Sequence, residues 1–399
     1  RIVYNRQSIH IEAVRSIRKD FNFSMCLSIF KHILSGRRIL KKVIKCVTAA
    51  VAAVGAILVV IFLVKYFKRL QSITSIEKLT DHDDYNLYSV DIKYGYDTQN
   101  IIDSGISDTQ SFVEALMKEA IPYLPVNIKV PDFGCSVFTA EDKNGTVRMG
   151  RNYDFKFDTS ALMVHCAPEN GYESIAFCAL DNLQANDPTE SIRTRLAVLA
   201  SPFVCLDGIN EKGVSIAVLT LDSKPTKQDT GKEKIATSLA IRLVLDNAAS
   251  TKEAVEILKS YDMIATGGRD YHFYITDASG DGRIVEYDCE SEKREIKVTK
   301  ISAATNFYAL YKDKVLPDQK NGIYGHGKER YDRIIEILDN NSGNVTEENA
   351  WEALNAASQE PNPLDVTSNT QWSVVFNNTE RKADIVIRRH WGEVDSFKL

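Results

Sequence analysis

The sequence predicts an α+β fold: a layered sandwich of sheets covered by helices, preceded by one transmembrane helix and a leader segment. Three observations lead there. From Cys135 onward, short strand-like runs alternate with paired amphipathic helical runs. Well ahead of them, Cys46 to Val64 ("CVTAAVAAVGAILVVIFLV") is nineteen residues without a charge. Residues 70–134, in between, are acidic and offer one amphipathic helix.

Residues 1–45 form a basic segment. Through residue 69 the chain carries 14 Lys and Arg against Glu12 and Asp20, a net +12, so the remainder holds −17 of the overall −5. An acidic remainder argues against a nucleic-acid partner. The chain opens on Arg1 and not on Met, and Met25 offers a candidate start.

Residues 46–64, as a helix rising about 1.5 Å per residue, span roughly 28 Å, close to a bilayer core. The run is long for a signal peptide, and only "KYFKRLQS" follows, with no small-x-small cleavage site. It has no polar face and is bracketed by cations, which disfavours a buried core helix. Lys31, Arg37, Arg38, Lys41, Lys42 and Lys45 precede it, against Lys65, Lys68, Arg69 and Lys78 after it. That bias places the N-terminus in the cytoplasm and everything from about residue 70 outside, as a single-pass cell-membrane protein.

The acidic leader, 65–134, includes "DHDDYNLYSVD" and the helical run "TQSFVEALMKEAIPYL" before breaks at Pro125 and Pro131. It reads as a stalk, a small subdomain or a propeptide. Residues 135–399 make the main domain. There "CSVFTAED" and "TVRMGRNYDF" flank "KNG", a hairpin signal. Further strands are expected at "ALMVHCA", "ESIAFCAL", "GVSIAVLTLD", "YHFYITDA", "GRIVEYD", "REIKVTK", "QWSVVFNN" and "ADIVIRR". Helices are expected at "SLAIRLVLDNA", at "STKEAVEILKS" with Ser250 or Thr251 as cap, at "KERYDRIIEIL", and at "TEENAWEALNAA" with Thr346 as cap. Forty-four percent apolar and 26% charged residues make the whole globular in composition.

The seven cysteines are an odd number with no CxxC pair, which signals neither a zinc ribbon nor a disulfide framework. No HExxH, Walker or Rossmann pattern is present, and "TGGRD" lacks the setting of a phosphate loop. Cys135, directly after Phe133-Gly134, has two readings. One is a small buried hydrophobe in a strand. The other is a hidden N-terminus: freed at Gly134, its own α-amine, with a reference pKa of about 7.7–8.0, takes the thiol proton without a histidine partner. Glycine at 134 tolerates strained backbone and leaves its carbonyl open to the thiol. The returning strand brings Arg151 and Asp154 near Cys135, a cation for the sulfur and a carboxylate for the amine. Nothing around His165 or His272 forms a Cys-His signature.

In order along the chain come a Cys opening a strand, "GRNYD", "DGINEKGVSIAVL", "YHFYITDASGDGRIVEYD", "ATNF", a helix with "ERYDR", and "TQWSVVFN". This series, from Cys135 to about Phe397, resembles the choloylglycine hydrolase, or linear amide C-N hydrolase, family of N-terminal-nucleophile (Ntn) hydrolases. That family holds conjugated bile acid hydrolases and penicillin V acylases, with acid ceramidase as a more distant relative. The resemblance implies a four-layer αββα sandwich and Cys135 as nucleophile, with Arg151 and Asp154 as neighbours. It further implies Asn210 on the oxyanion side, Asn306 steadying the amine and the tetrahedral intermediate, and Arg330 as a late arginine. Because 134 residues precede Cys135, processing between Gly134 and Cys135 is expected to be a chain cleavage of the acid ceramidase type. The implied substrate is a small N-acyl amide, and no metal or cofactor is implied. A membrane-anchored binding protein that lost catalysis, and an acyltransferase on the same fold, are the alternatives.

Overall fold

The computed structural model describes residues 37–83, 85–122, 133–155, 158–362 and 369–399. Most of the basic segment, Met25, Pro125 and Pro131 lie outside them. The chain divides into two units, Arg1–Phe67 and Lys68–Leu399.

The uncharged run lies within one helix, Arg37–Thr74. Its stretch Val43–Val64 is exposed, and is long and apolar enough to cross a membrane, as an anchor or a signal sequence would be.

Beside a two-stranded parallel sheet of Lys234–Ala236 and Asp262–Ile264, the second unit is built on two large sheets. The smaller is antiparallel throughout, in the order Ala303–Ala304, Phe133–Glu141, Val147–Phe155, Thr370–Asn377, Lys382–Ile387, Asp395–Lys398. The larger runs Glu77–Lys78, Leu87–Ile92, Ala161–Cys166, Ser174–Ala179, Asp207–Asn210, Ser215–Leu221, Asp270–Thr276, Arg283–Tyr287, Ile296–Lys300. Each expected strand is present, and each expected helix forms. Ser250 caps Thr251–Lys259, and Thr346 caps Glu347–Ala357 in a capping box with Asn349.

Successive residues of a strand face opposite ways, and both faces of the smaller sheet are buried. Outward, Phe138, Ala140 and Val375 meet Ile334, Leu354 and Ala357 of the helices Lys328–Asn340 and Glu347–Ala357. Inward, Val137, Met149, Trp372, Val374 and Phe376 join the main core with Phe177, Ile209, Leu219 and Phe273 of the larger sheet. Thr237–Asn247 packs on Asp207–Asn210 and Ser215–Leu221, and Thr251–Lys259 on Asp270–Thr276. The layers are therefore helix, sheet, sheet, helix, an αββα sandwich. A fully buried side chain of this kind contributes roughly 1.5–3 kcal/mol.

The leader is woven into this sandwich. Leu87–Ile92 pairs parallel with Ala161–Cys166, every other pairing in the sheet being antiparallel. Leu87, Tyr88, Val90, Phe112 and Leu116 are part of the main core. The helix Thr109–Ala120 is held at its start by a capping box of Asp108 and Ser111. A separate stalk is thus excluded for these residues. The boundary at 134/135 belongs to the sequence and not to the folded unit.

Candidate active site

Strand register assembles the site. Ala303 and Ala304 pair with Phe138 and Val137, and continuing that antiparallel register by two residues brings Asn306 to Cys135. On the other side Tyr153 pairs with Cys135 and Asp154 with Gly134. The "ATNF" and "GRNYD" segments thus flank one residue from both sides. The strand that carries Cys135 does not open on it: it begins at Phe133, so the Gly134–Cys135 bond lies inside a regular ladder.

Cys135 is fully buried. Its backbone N–H donates to Asn306 Oδ1 at 2.9 Å, and its carbonyl accepts from Arg330 Nη1 at 2.8 Å. Arg330 Nη2 donates to the same Asn306 Oδ1 at 2.8 Å, and Nη1 also reaches Asp154 Oδ2 at 3.3 Å. Asp154 further accepts from Thr370 Oγ1 at 2.6 Å and Gln359 Nε2 at 2.8 Å. Asn306 Nδ2 donates to the Thr220 carbonyl and hydroxyl at 2.9 and 3.1 Å. One connected network therefore fixes both backbone polar groups of Cys135.

Arg151 and Tyr153 lie two apart on one strand and share its inner face with Cys135. Arg151, fully buried, crosses to the larger sheet. Its Nε donates to Asp207 Oδ2 at 2.5 Å and its Nη2 to the Val218 carbonyl at 3.1 Å. Burial pushes the Cys135 thiol up to about 11, and the Arg151 guanidinium pulls against that rise. Burial also raises the Asp207 carboxyl, and Arg151 opposes this as well. The Arg151 guanidinium beside the thiol suits a thiolate, and the Asn306 Oδ1 acceptor on the Cys135 nitrogen suits an amine.

Five of the six expected residues, Cys135, Arg151, Asp154, Asn306 and Arg330, thus come together. Asn210 does not join them. Its Nδ2 donates to the carbonyls of Leu245 and Ala248 at the end of Thr237–Asn247, and its Oδ1 accepts from Lys212 N and Val214 N. Every hydrogen-bonding position of that amide is spent on backbone, so Asn210 ties a turn to a helix end. Within the same "DGINEKG" stretch the residue that reaches the site is Asp207, and from "SIAVLTL" it is Thr220. Asp207 supplies the carboxylate that the fully buried Arg151 needs, a partnership that no spacing in the sequence marks. His165 is held between Asp91 and Glu173, and His272 between Glu286 and the Thr305 carbonyl, so both ring nitrogens of each are occupied.

Gly325 sets the position of Asn306. Its φ is +101°, and a Cβ there would fall 2.0 Å from the Asn306 carbonyl oxygen. His326 N donates to that same oxygen at 2.9 Å. Gly325→Ala is expected to cost about 1–3 kcal/mol in strained backbone and to displace Asn306. Thermal unfolding and turnover of the variant check this; a variant with unaltered activity would show that Asn306 tolerates the shift.

Residues 135–306 match the family model of linear amide C-N hydrolases, choloylglycine hydrolase family. The match opens on Cys135 and closes on Asn306, the two residues joined at 2.9 Å. Among solved structures, a mutant conjugated bile acid hydrolase from Clostridium perfringens is 16% identical with a TM-score of 0.49, over 66% of this chain and 92% of that one. A second variant of that protein gives the same values. Penicillin V acylase from Agrobacterium tumefaciens is 18% identical with a TM-score of 0.48, over 66% of this chain and 86% of that one. A comparison with curated proteins finds no match.

Proposed function

We infer that this chain, whose residues from Cys135 to Asn306 carry the linear amide C-N hydrolase pattern, is a hydrolase of linear carbon–nitrogen amide bonds. We propose that its nucleophile is Cys135, made N-terminal by cleavage of the Gly134–Cys135 bond. The observation behind this is the 2.9 Å contact of Cys135 N with Asn306 Oδ1 inside a buried polar network. The nitrogen that cleavage turns into an amine is already seated on an acceptor.

In the uncut chain the thiol, with a pKa of about 11, stays protonated at neutral pH. Cleavage adds an α-amine of pKa about 7.7–8.0 to the same residue, and an ammonium beside the sulfur favours thiolate. In the cut chain the thiol proton passes to the amine and Sγ attacks the substrate carbonyl carbon. The tetrahedral intermediate carries an oxyanion, for which Asn306 Nδ2, seated on Thr220 in the uncut chain, is the assigned donor. One such donor is worth about 3 kcal/mol. The Cys135 ammonium protonates the leaving amine, and a thioester remains. Water, deprotonated by the α-amine, then releases the acid and restores the thiol. Arg151 stabilises charge at sulfur, while Asp154 and Arg330 hold the first residue in place. Asn210 has no part in this assignment.

The helix over Val43–Val64 serves in this reading as a single-pass anchor. The cationic excess ahead of it leaves the catalytic residues extracytoplasmic.

N-terminal sequencing with intact mass of the protein from its host tests the proposal. A chain beginning Cys-Ser-Val-Phe that hydrolyses N-acyl amides is the expected result. Active material with Gly134 still attached to Cys135 would overturn the free-amine mechanism.

A further inference from the structure

We propose a second site, remote in sequence from Cys135, at which His82, His390 and Glu393 bind a divalent zinc-class ion. Their ligand atoms all lie within 4.8 Å of one another. His82 Nε2 stands 3.2 Å from Glu393 Oε2, and the His82 and His390 rings stack at 4.4 Å with 16° between their planes. Two imidazoles and a carboxylate form a donor set that zinc takes in three-ligand sites, with water in the fourth position.

The backbone around the three residues is fixed, and two of the side chains, His390 and Glu393, are exposed. His82 N donates to Asn86 Oδ1 at 2.8 Å, and Asn86 Nδ2 returns to the His82 carbonyl at 3.0 Å. Across from it, Glu393 N donates to the His390 carbonyl at 2.8 Å, so one tight turn carries both other donors. His390 and Glu393 are exposed, and the ring nitrogens of His390 have no hydrogen-bond partner among the described residues. Bonds of about 2.0–2.1 Å in a tetrahedral site bring donor atoms to roughly 3.4 Å from one another. Rotating two exposed side chains closes that gap at little cost.

The charges nearby favour a cation. Arg388 pairs with Asp158 at 2.6 Å and Arg389 with Glu360 at 3.1 Å, so the two adjoining guanidiniums are engaged elsewhere. Asp395 stands two residues on from Glu393, a further carboxylate in the same stretch.

The placement has a consequence. His82 belongs to the segment ahead of Gly134, whereas His390 and Glu393 belong to the turn before the last strand, Asp395–Lys398. A bound ion therefore ties together the two sides of the Gly134–Cys135 bond. Binding itself does not depend on cleavage there.

Titration calorimetry of the full chain in detergent with zinc chloride tests the site, alongside His82→Ala, His390→Ala and a magnesium control. One zinc per chain is expected, with no heat from magnesium, which prefers an all-oxygen shell. Each substitution should weaken zinc binding by at least the ~10–100-fold that even an outer-shell change costs. Zinc should also raise the melting temperature of the wild type and not of His390→Ala, an exposed position whose variant is expected to fold. Zinc binding that survives both substitutions belongs to the thiols and overturns the assignment, as does the absence of binding to the wild type.

Discussion

Cys135→Ala is expected to leave the chain folded, uncut at Gly134 and without amidase activity, a fall in kcat on the order of 10⁶, the scale seen when a hydrolase nucleophile is removed. The substitution deletes one buried sulfur and leaves both backbone bonds of residue 135, to Asn306 and from Arg330, in place. Its stability cost should lie near the ~1 kcal/mol centre of point-mutant effects. Intact mass, circular dichroism and turnover of an N-acyl amide read the three expectations separately. A variant that is cut yet inactive would assign the cleavage to another protease and keep the nucleophile. Near-normal turnover would sink the mechanism.

Arg151→Ala should be the most destabilising single change at the site. Asp207, fully buried, would keep only the Trp372 Nε1–H at 3.4 Å, its Oδ1 having no partner among the described residues. Removing one partner of a buried ion pair costs about 3–5 kcal/mol, against a total of roughly 5–15 kcal/mol for a folded protein. The carbonyls of Asn152 and Val218 lose a donor as well. The double variant Arg151→Met, Asp207→Leu replaces the pair by apolar volume, and is expected to recover most of that stability. It should not recover turnover, because the thiol still lacks its cation. Urea unfolding and amidase assays on both variants decide the point: a double variant with wild-type turnover would make Arg151 a purely structural residue.

The layers were legible because strand runs such as "GVSIAVLTLD" and helices such as "TEENAWEALNAA" satisfy local periodicity and capping, which tertiary contacts here reinforce. Cys135, Arg151 and Asp154 were legible for a related reason: a hairpin places its two ends together by register alone. Asn306 and Arg330 came only from the family resemblance, since the pairing of Ala303–Ala304 with Val137 and Phe138 cannot be read from either segment by itself. Asn210 illustrates the limit. Its motif is genuinely present, but which of its polar residues turns toward the thiol depends on where Thr237–Asn247 ends, and that helix end claims Asn210 and leaves Asp207 for Arg151. The strand Leu87–Ile92 escaped notice because the charges of "DHDD" dominate its neighbourhood, although Leu87, Tyr88, Val90 and Ile92 carry its apolar content. His82 and His390 lie far apart in the sequence, where no spacing rule could join them.

The position of Leu87–Ile92 in the larger sheet bears on how the protein could ever be remade. While the backbone is continuous, folding is a unimolecular event, and the strand's local concentration beside Ala161–Cys166 is set by the chain itself. Were the backbone cut at Gly134 as proposed, the same sheet would need two molecules, and the stability of the native state would acquire a dependence on concentration. Loss of the leader would bare the Ala161–Cys166 strand, five of whose six residues are buried, as an unpaired edge of the kind that seeds aggregation. Under the proposed cleavage, denaturation would tend toward a one-way loss. The uncut chain thus holds folding information that, under the proposed cleavage, neither piece would carry by itself.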